Sequence, residues 1–270
     1  MGPPPEVPTE IWLQIFRLAS EDRGSSLESL RVGPNDRRLG REESVGYKKS
    51  LATKLSLVGT CRRWNIIATP LLYEHISVTG QRRYSRVLGG FNRDDGASAK
   101  YRNMVTRLDL VCLEEGRGYK IAIELCRAFP ELTTLLAALA FTKEDEPTPL
   151  FDELSPKLKH LYLLPGSSSM WMLKRVPFSR MVDFLDNHPQ LLDISTPYAF
   201  SEPESSEERR DWSGKSWPTI RTLVLQNRNQ AEVLSACLPS EAFPNLQFVN
   251  GLSFGKDVQK SYRNTLAQDW

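Results

Sequence analysis

A short unit recurs through the last two thirds of this chain: proline, any residue, an aliphatic, two residues and another aliphatic. It stands as PELTTL from Pro130, PKLKHL from Pro156, PQLLDI from Pro189, PTIRTL from Pro218 and PNLQFV from Pro244. The starts lie 26, 33, 29 and 26 residues apart; VTRLDL from Val105 extends the series without the proline, and YEHISV from Tyr73 is a candidate first member. Self-similarity at such a period means one supersecondary unit used repeatedly, each copy burying its apolar side against its neighbours. Stripes at helical spacing lie between the units: Tyr84, Val87, Leu88 and Phe91; Ile121, Leu125 and Phe129; Phe178, Met181, Val182 and Leu185; Leu234, Cys237 and Leu238; and Val258, Tyr262 and Leu266. Pro177 is placed to start the third of these. The link after Leu139 has only a short helical candidate at Leu150 to Leu154, and the charged stretches at 143–146 and 201–211 are expected to be loops.

A strand, a helix and a proline-marked return in every unit predict a stacked α/β array. The strand spelling L-x-x-L-x-L is met by Leu158, Leu161 and Leu163 and by Ile220, Leu223 and Leu225. These units resemble leucine-rich repeats, irregular ones, because Gly166 and Arg228 stand where the pattern has Asn or Cys. The resemblance implies an α/β solenoid over residues 79–270, with parallel strands on one face and helices on the other. The polar residues between the strand aliphatics then point to a concave face. Arg107, Asp109, Lys159, His160, Tyr162, Arg221 and Thr222 are expected there, a chemically mixed set suited to recognising a protein target.

The first eighty residues have a different grammar. Pro8 stands at a helix start and Glu10 in its first turn, and Ile11 with Ile15 and Trp12 with Phe16 are i,i+4 pairs, extended by Ala19. Such a short helix must lay its apolar face against something. Residues 20–50, with seven Lys or Arg and six Asp or Glu interleaved, are expected to be a flexible insertion rather than a nucleic-acid-binding arm. Leu51, Leu55 and Val58 resume helical spacing, Gly59 interrupts it, Cys61, Trp64, Ile67 and Ala68 carry it on, and Pro70 starts a last turn with Leu71, Leu72 and Tyr73.

In order, Pro8-x-Glu10-Ile11-x-x-x-Ile15-Phe16, Leu55-Ser56-Leu57-Val58-x-x-Cys61-Arg62-x-Trp64 and Leu71-Leu72-Tyr73 resemble an F-box, with Val7 where that family has Leu and with a longer insertion. The resemblance implies a small all-α module over residues 5–78 that docks on the Skp-type adaptor of a cullin-based ubiquitin ligase. Pro8, Ile11, Ile15, Phe16, Leu57, Val58, Cys61 and Trp64 would divide between the module's core and the adaptor interface. The expected fold is therefore α+β overall, and the expected function is substrate recognition within such a ligase. One alternative is a repeat scaffold in which the same helices only cap the array. A more distant one is an α/β hydrolase or nucleotide-binding enzyme.

A net charge of +2, with 40% hydrophobic and 25% charged residues, gives no general drive toward nucleic acid or membrane. Cys61, Cys112, Cys126 and Cys237 form no C-x-x-C pair, which argues against a zinc site and a disulfide framework and fits a reducing compartment. MGPPPEVP lacks the regions of a secretory signal, and LTTLLAALAF is too short for a membrane span. The chain is expected to be intracellular, cytoplasmic or nuclear or both. No catalytic residue, metal or cofactor is expected. Gly214-Lys215-Ser216 lacks the earlier glycine of a phosphate loop, LPGSSSM from Leu164 lacks the nucleophile-elbow spacing, and His75, His160 and His188 are isolated.

Overall fold

The proline units fold into one turn made five times. In the computed structural model, which describes residues 7–20, 39–79, 81–91, 96–111, 118–139, 148–165, 175–201, 212, 214–225 and 228–251, the residue before each proline is buried: Phe129, Ser155, His188, Trp217 and Phe243. Its carbonyl accepts from the amide three residues on, as in Leu132 to Phe129 (3.2 Å), Leu191 to His188 (3.0 Å) and Ile220 to Trp217 (3.3 Å). The next two amides reach back to the preceding unit: those of Lys159 and His160 donate to Thr133 O, those of Leu192 and Asp193 to Lys159 O, and those of Arg221 and Thr222 to Leu192 O, all within 2.7–3.1 Å. Proline suits the position because its nitrogen has no hydrogen to leave unsatisfied.

Each turn feeds a short parallel strand. Strands β1 (His75–Thr79), β2 (Arg107–Val111), β3 (Thr134–Leu139), β4 (His160–Pro165), β6 (Asp193–Thr196), β8 (Thr222–Leu225) and β9 (Phe248–Gly251) form a seven-stranded sheet in that order, and every pairing is parallel. The chain is thus mixed α/β. A second sheet of two strands, β5 (Arg175–Pro177) and β7 (Ala199–Ser201), was not expected; three-residue strands leave no alternation to read. The crossovers carry helices α4 (Gln81–Phe91), α5 (Gly96–Arg102), α6 (Gly118–Ala128), α7 (Thr148–Asp152), α8 (Phe178–Asn187) and α9 (Arg228–Cys237). Pro177 is the N-cap of α8, as its fixed φ favours.

Register separates the two faces of the sheet. Ile76, Leu108, Leu135, Leu161, Ile194 and Leu223 stand in one row, all buried, and belong to one apolar cluster with Ile121, Leu125, Val182, Leu185 and Leu234 of the helices. Each such side chain contributes roughly 2 kcal/mol on burial. The rows between carry polar residues on the opposite face.

Among the described residues, three helices precede the sheet: α1 (Thr9–Ser20), α2 (Leu39–Thr60) and α3 (Arg62–Glu74). Three expectations change here. The stretch 39–50 is helical. Its inward positions, Tyr47, Ser50, Leu51 and Lys54, are too polar for the helical period to be read. The break falls at Cys61, with φ −159° and ψ 167°, whereas Gly59 lies within α2. Pro70 lies inside α3 rather than starting a separate turn. Residues 143–146, Gly166, 202–211 and the stripe Val258, Tyr262 and Leu266 lie outside the described residues.

Candidate functional site

Helix α1 begins where Pro8 O accepts the amides of Ile11 and Trp12, both at 3.2 Å. Its apolar residues then divide between two sides. Trp12 and Phe16 turn inward and meet Trp64 of α3, with ring centroids 5.2 and 4.9 Å from it. Phe16, Ile67, Ala68 and Leu71 are the buried centre of this small core, and Leu13, Leu57, Val58 and Trp64 pack around it partly buried. Two bonds tie the helices together: Ser50 Oγ donates to Ser20 O (2.6 Å), and Arg63 Nη2 donates to Val7 O (2.9 Å).

Ile11, Ile15 and Leu18, at i, i+4 and i+7, form the other side and are 44%, 44% and 73% exposed. Leu55 on α2 and Ile66 on α3 are 53% and 68% exposed, and Pro8 and Cys61 are also exposed. Of the eight residues expected to serve core or adaptor, Phe16 is therefore core, and Leu57, Val58 and Trp64 border it. Pro8, Ile11, Ile15 and Cys61 face outward.

On the polar sheet face, His75, Arg107, Thr134, His160, Asp193 and Thr222 share one row. Ser77, Asp109, Leu136, Tyr162, Ser195 and Val224 share the row two residues on. His75 Nε2 lies 2.7 Å from Asp109 Oδ2, and Arg107 donates to both oxygens of that carboxylate at 3.0 Å. His160 Nδ1 lies 2.6 Å from Asp193 Oδ2, to which the Tyr162 hydroxyl donates at 3.2 Å. Burial alone would raise the Asp109 pKa, but the bonds from His75 and Arg107 outweigh it and hold the carboxyl below its ordinary value.

The seven residues expected on this face are not alike. Asp109, Tyr162 and Thr222 are buried, Arg107 and His160 are partly covered, and Lys159 and Arg221 are exposed. Polar side chains can be buried here because they bond to one another across strands. Asp193, Thr134 and Ser195 were not singled out, yet the sequence held the signal: counting four and six residues from each proline gives both rows. Tyr47 was also missed. Its ring meets that of His75 edge-on at 4.9 Å, and burial raises its hydroxyl pKa. Tyr47 thus sits against β1, the edge strand of the sheet, a position proteins commonly cover.

The remaining chemical candidates have structural partners. Lys215 pairs with Asp186, and His188 Nδ1 donates to Phe184 O at 2.7 Å. Burial pushes the Cys126 thiol up to about 12, far from a reactive thiolate. Among the described residues no group of three or more His, Cys, Asp or Glu is placed to hold a metal, and no helix is long and apolar enough to cross a membrane. Gly166 to Met170 of LPGSSSM lie outside the described residues. The chain matches no protein-family model, and a search of curated proteins finds no match either.

Proposed function

We propose that this chain is the substrate-recognition subunit of a Skp-cullin-F-box type ubiquitin ligase. Residues 5–78 act as an F-box-like module that docks a Skp-type adaptor, and residues 79–270 act as a leucine-rich-repeat-like solenoid that holds a protein target. The observation that carries this reading is the outward stripe of Ile11, Ile15 and Leu18 on α1, left uncovered while Trp12 and Phe16 of the same helix fill the core. Exposed apolar residues grouped on one element mark a protein-contact surface. The recurring proline turn and the unreversed order of parallel strands support the solenoid part. Among the described strands the same order has no reversal, the place where open α/β enzymes bind ligands. The chain itself performs no bond chemistry; it raises the target's effective concentration beside a ubiquitin-charged partner.

A second reading makes the three helices only a cap of the array. It draws on the contact of Tyr47 with His75 and on α3 passing directly into β1. Adaptor binding by the whole chain separates the two. Replacing Ile11 and Ile15 together by aspartate is expected to weaken the adaptor by ~2 kcal/mol or more, the size of a lost anchor. Stability should change by no more than ~0.5 kcal/mol, because both residues are at the surface. Calorimetric titration and thermal melts measure the two effects. A folded chain that does not bind the adaptor leaves the cap reading.

A further inference from the structure

The charges at the amino-terminal rim of the sheet are unevenly matched. On the polar face Asp109 and Asp193 are buried; Arg107 pairs with Asp109, and His75 and His160 lie 2.7 and 2.6 Å from the two carboxylates. On the adjoining turns Glu131 holds Lys157 at 2.6 Å and Glu74 lies 3.8 Å from Arg17. Asp109, Glu131 and Glu74 each have an Arg or Lys partner, and Asp193 is held by His160 and Tyr162. Lys159 and Arg221 are exposed and make no ion pair among the described residues. Both occupy the same place in their units, three residues after the proline, immediately before His160 in β4 and Thr222 in β8.

Only β6 separates those strands. The two positions are therefore about 10 Å apart across the sheet, two strand spacings of ~4.8 Å. A peptide in the extended polyproline II form advances ~3.1 Å per residue with about three residues per turn, so acidic side chains three residues apart lie on one side and span nearly the same distance. We propose that the rim marked by Lys159 and Arg221, with the partly covered His160 next to Lys159 on β4, is the docking point for an extended acidic segment of a protein target. This rests on reading the polar face as the target-facing side and adds the chemistry of what it takes. Charge favours that occupant: among the described residues Lys159 and Arg221 are exposed cations without an ion-pair partner, on a chain whose total charge is only +2. Two cations this far apart are sparse for a nucleic-acid backbone, which carries a charge every ~3.4 Å along each strand.

The test uses the full chain and three fluorescent probes: a Gly/Ser peptide with glutamate at every third position, the same peptide with lysine, and a single-stranded RNA. The acidic peptide should bind in preference to the other two and weaken with salt. Lys159→Glu with Arg221→Glu should weaken it at least about tenfold, with the thermal melt unchanged. Equal binding of acidic and basic peptides, tighter binding of RNA, or indifference to the double reversal would overturn the inference. Adaptor binding measured on the same proteins keeps the two claims apart. An intact adaptor complex without acidic-peptide binding sinks only the rim assignment, while peptide binding without an adaptor complex sinks only the ligase reading.

Discussion

Asp109 is nearly fully buried and remains a carboxylate because two neighbours hold it there. Its lowered pKa means that it adds stability above the ordinary carboxylate range and that this contribution is lost as pH falls through the folded value. Asp109→Asn should cost about 3 kcal/mol at neutral pH, within the range for breaking a buried pair, and should flatten the acid side of the stability curve below pH ~4. Denaturant titrations across pH measure both. His188 has the opposite logic. Burial lowers its pKa, so the folded state favours neutral imidazole and stability falls as pH drops below the ordinary histidine value. His188 occupies the place that Phe129 and Phe243 take in other units. His188→Phe should therefore reduce the loss of melting temperature between neutral and mildly acid pH. At this scale the sequence yields the kinds of residue on the strands but not their burial. Arg107 and Asp109 are legible as face residues, whereas their bond with His75 needs the register of two strands 32 residues apart.

Among the elements, α1 has a side packed into the small core and a side left exposed. Phe16→Ala removes a ring packed against Trp12 and Trp64 and should cost about 3–5 kcal/mol, the usual range for a buried phenylalanine. That loss would appear in a thermal melt, unlike the change at Ile11 and Ile15, which should appear in binding alone. The apolar content of this helix is plain in the sequence. Its division into Trp12 and Phe16 inward and Ile11 and Ile15 outward is not, because adjacent pairs at i,i+4 spacing describe one broad stripe and only packing against α3 selects part of it. Helix α2 shows a different limit. Between 39 and 50 its inward side uses Tyr47 and, further on, the Lys54 stem, so no aliphatic period announces it. The proline units are the most legible elements of all. A fixed φ, a missing donor and an aliphatic two residues on define a turn locally, and the strand after it follows from alternation.

Across the molecule, the buried apolar residues among the described ones form two clusters: one around Phe16, Ile67 and Leu71, and one running from Ile76 to Leu246 beneath the sheet. Tyr73 of α3 packs against the second cluster and stacks on Tyr101 at 4.3 Å, and Tyr47 meets His75. Separate cores favour separate cooperative units. Denaturant unfolding should therefore have two transitions, with Phe16→Ala moving one and Leu161→Ala the other; a single transition shifted by both would show one unit. The parallel order of the main sheet is legible from the period, since its strands follow in chain order. Hydrogen exchange on the full chain, with and without a purified Skp-type adaptor, shows whether the exposed side of α1 receives an adaptor. Exchange in Thr9–Ser20 is expected to slow on adding the adaptor, with no change in β2 to β4. Unchanged exchange in α1 of a folded chain, or protection confined to the sheet, would contradict adaptor docking there.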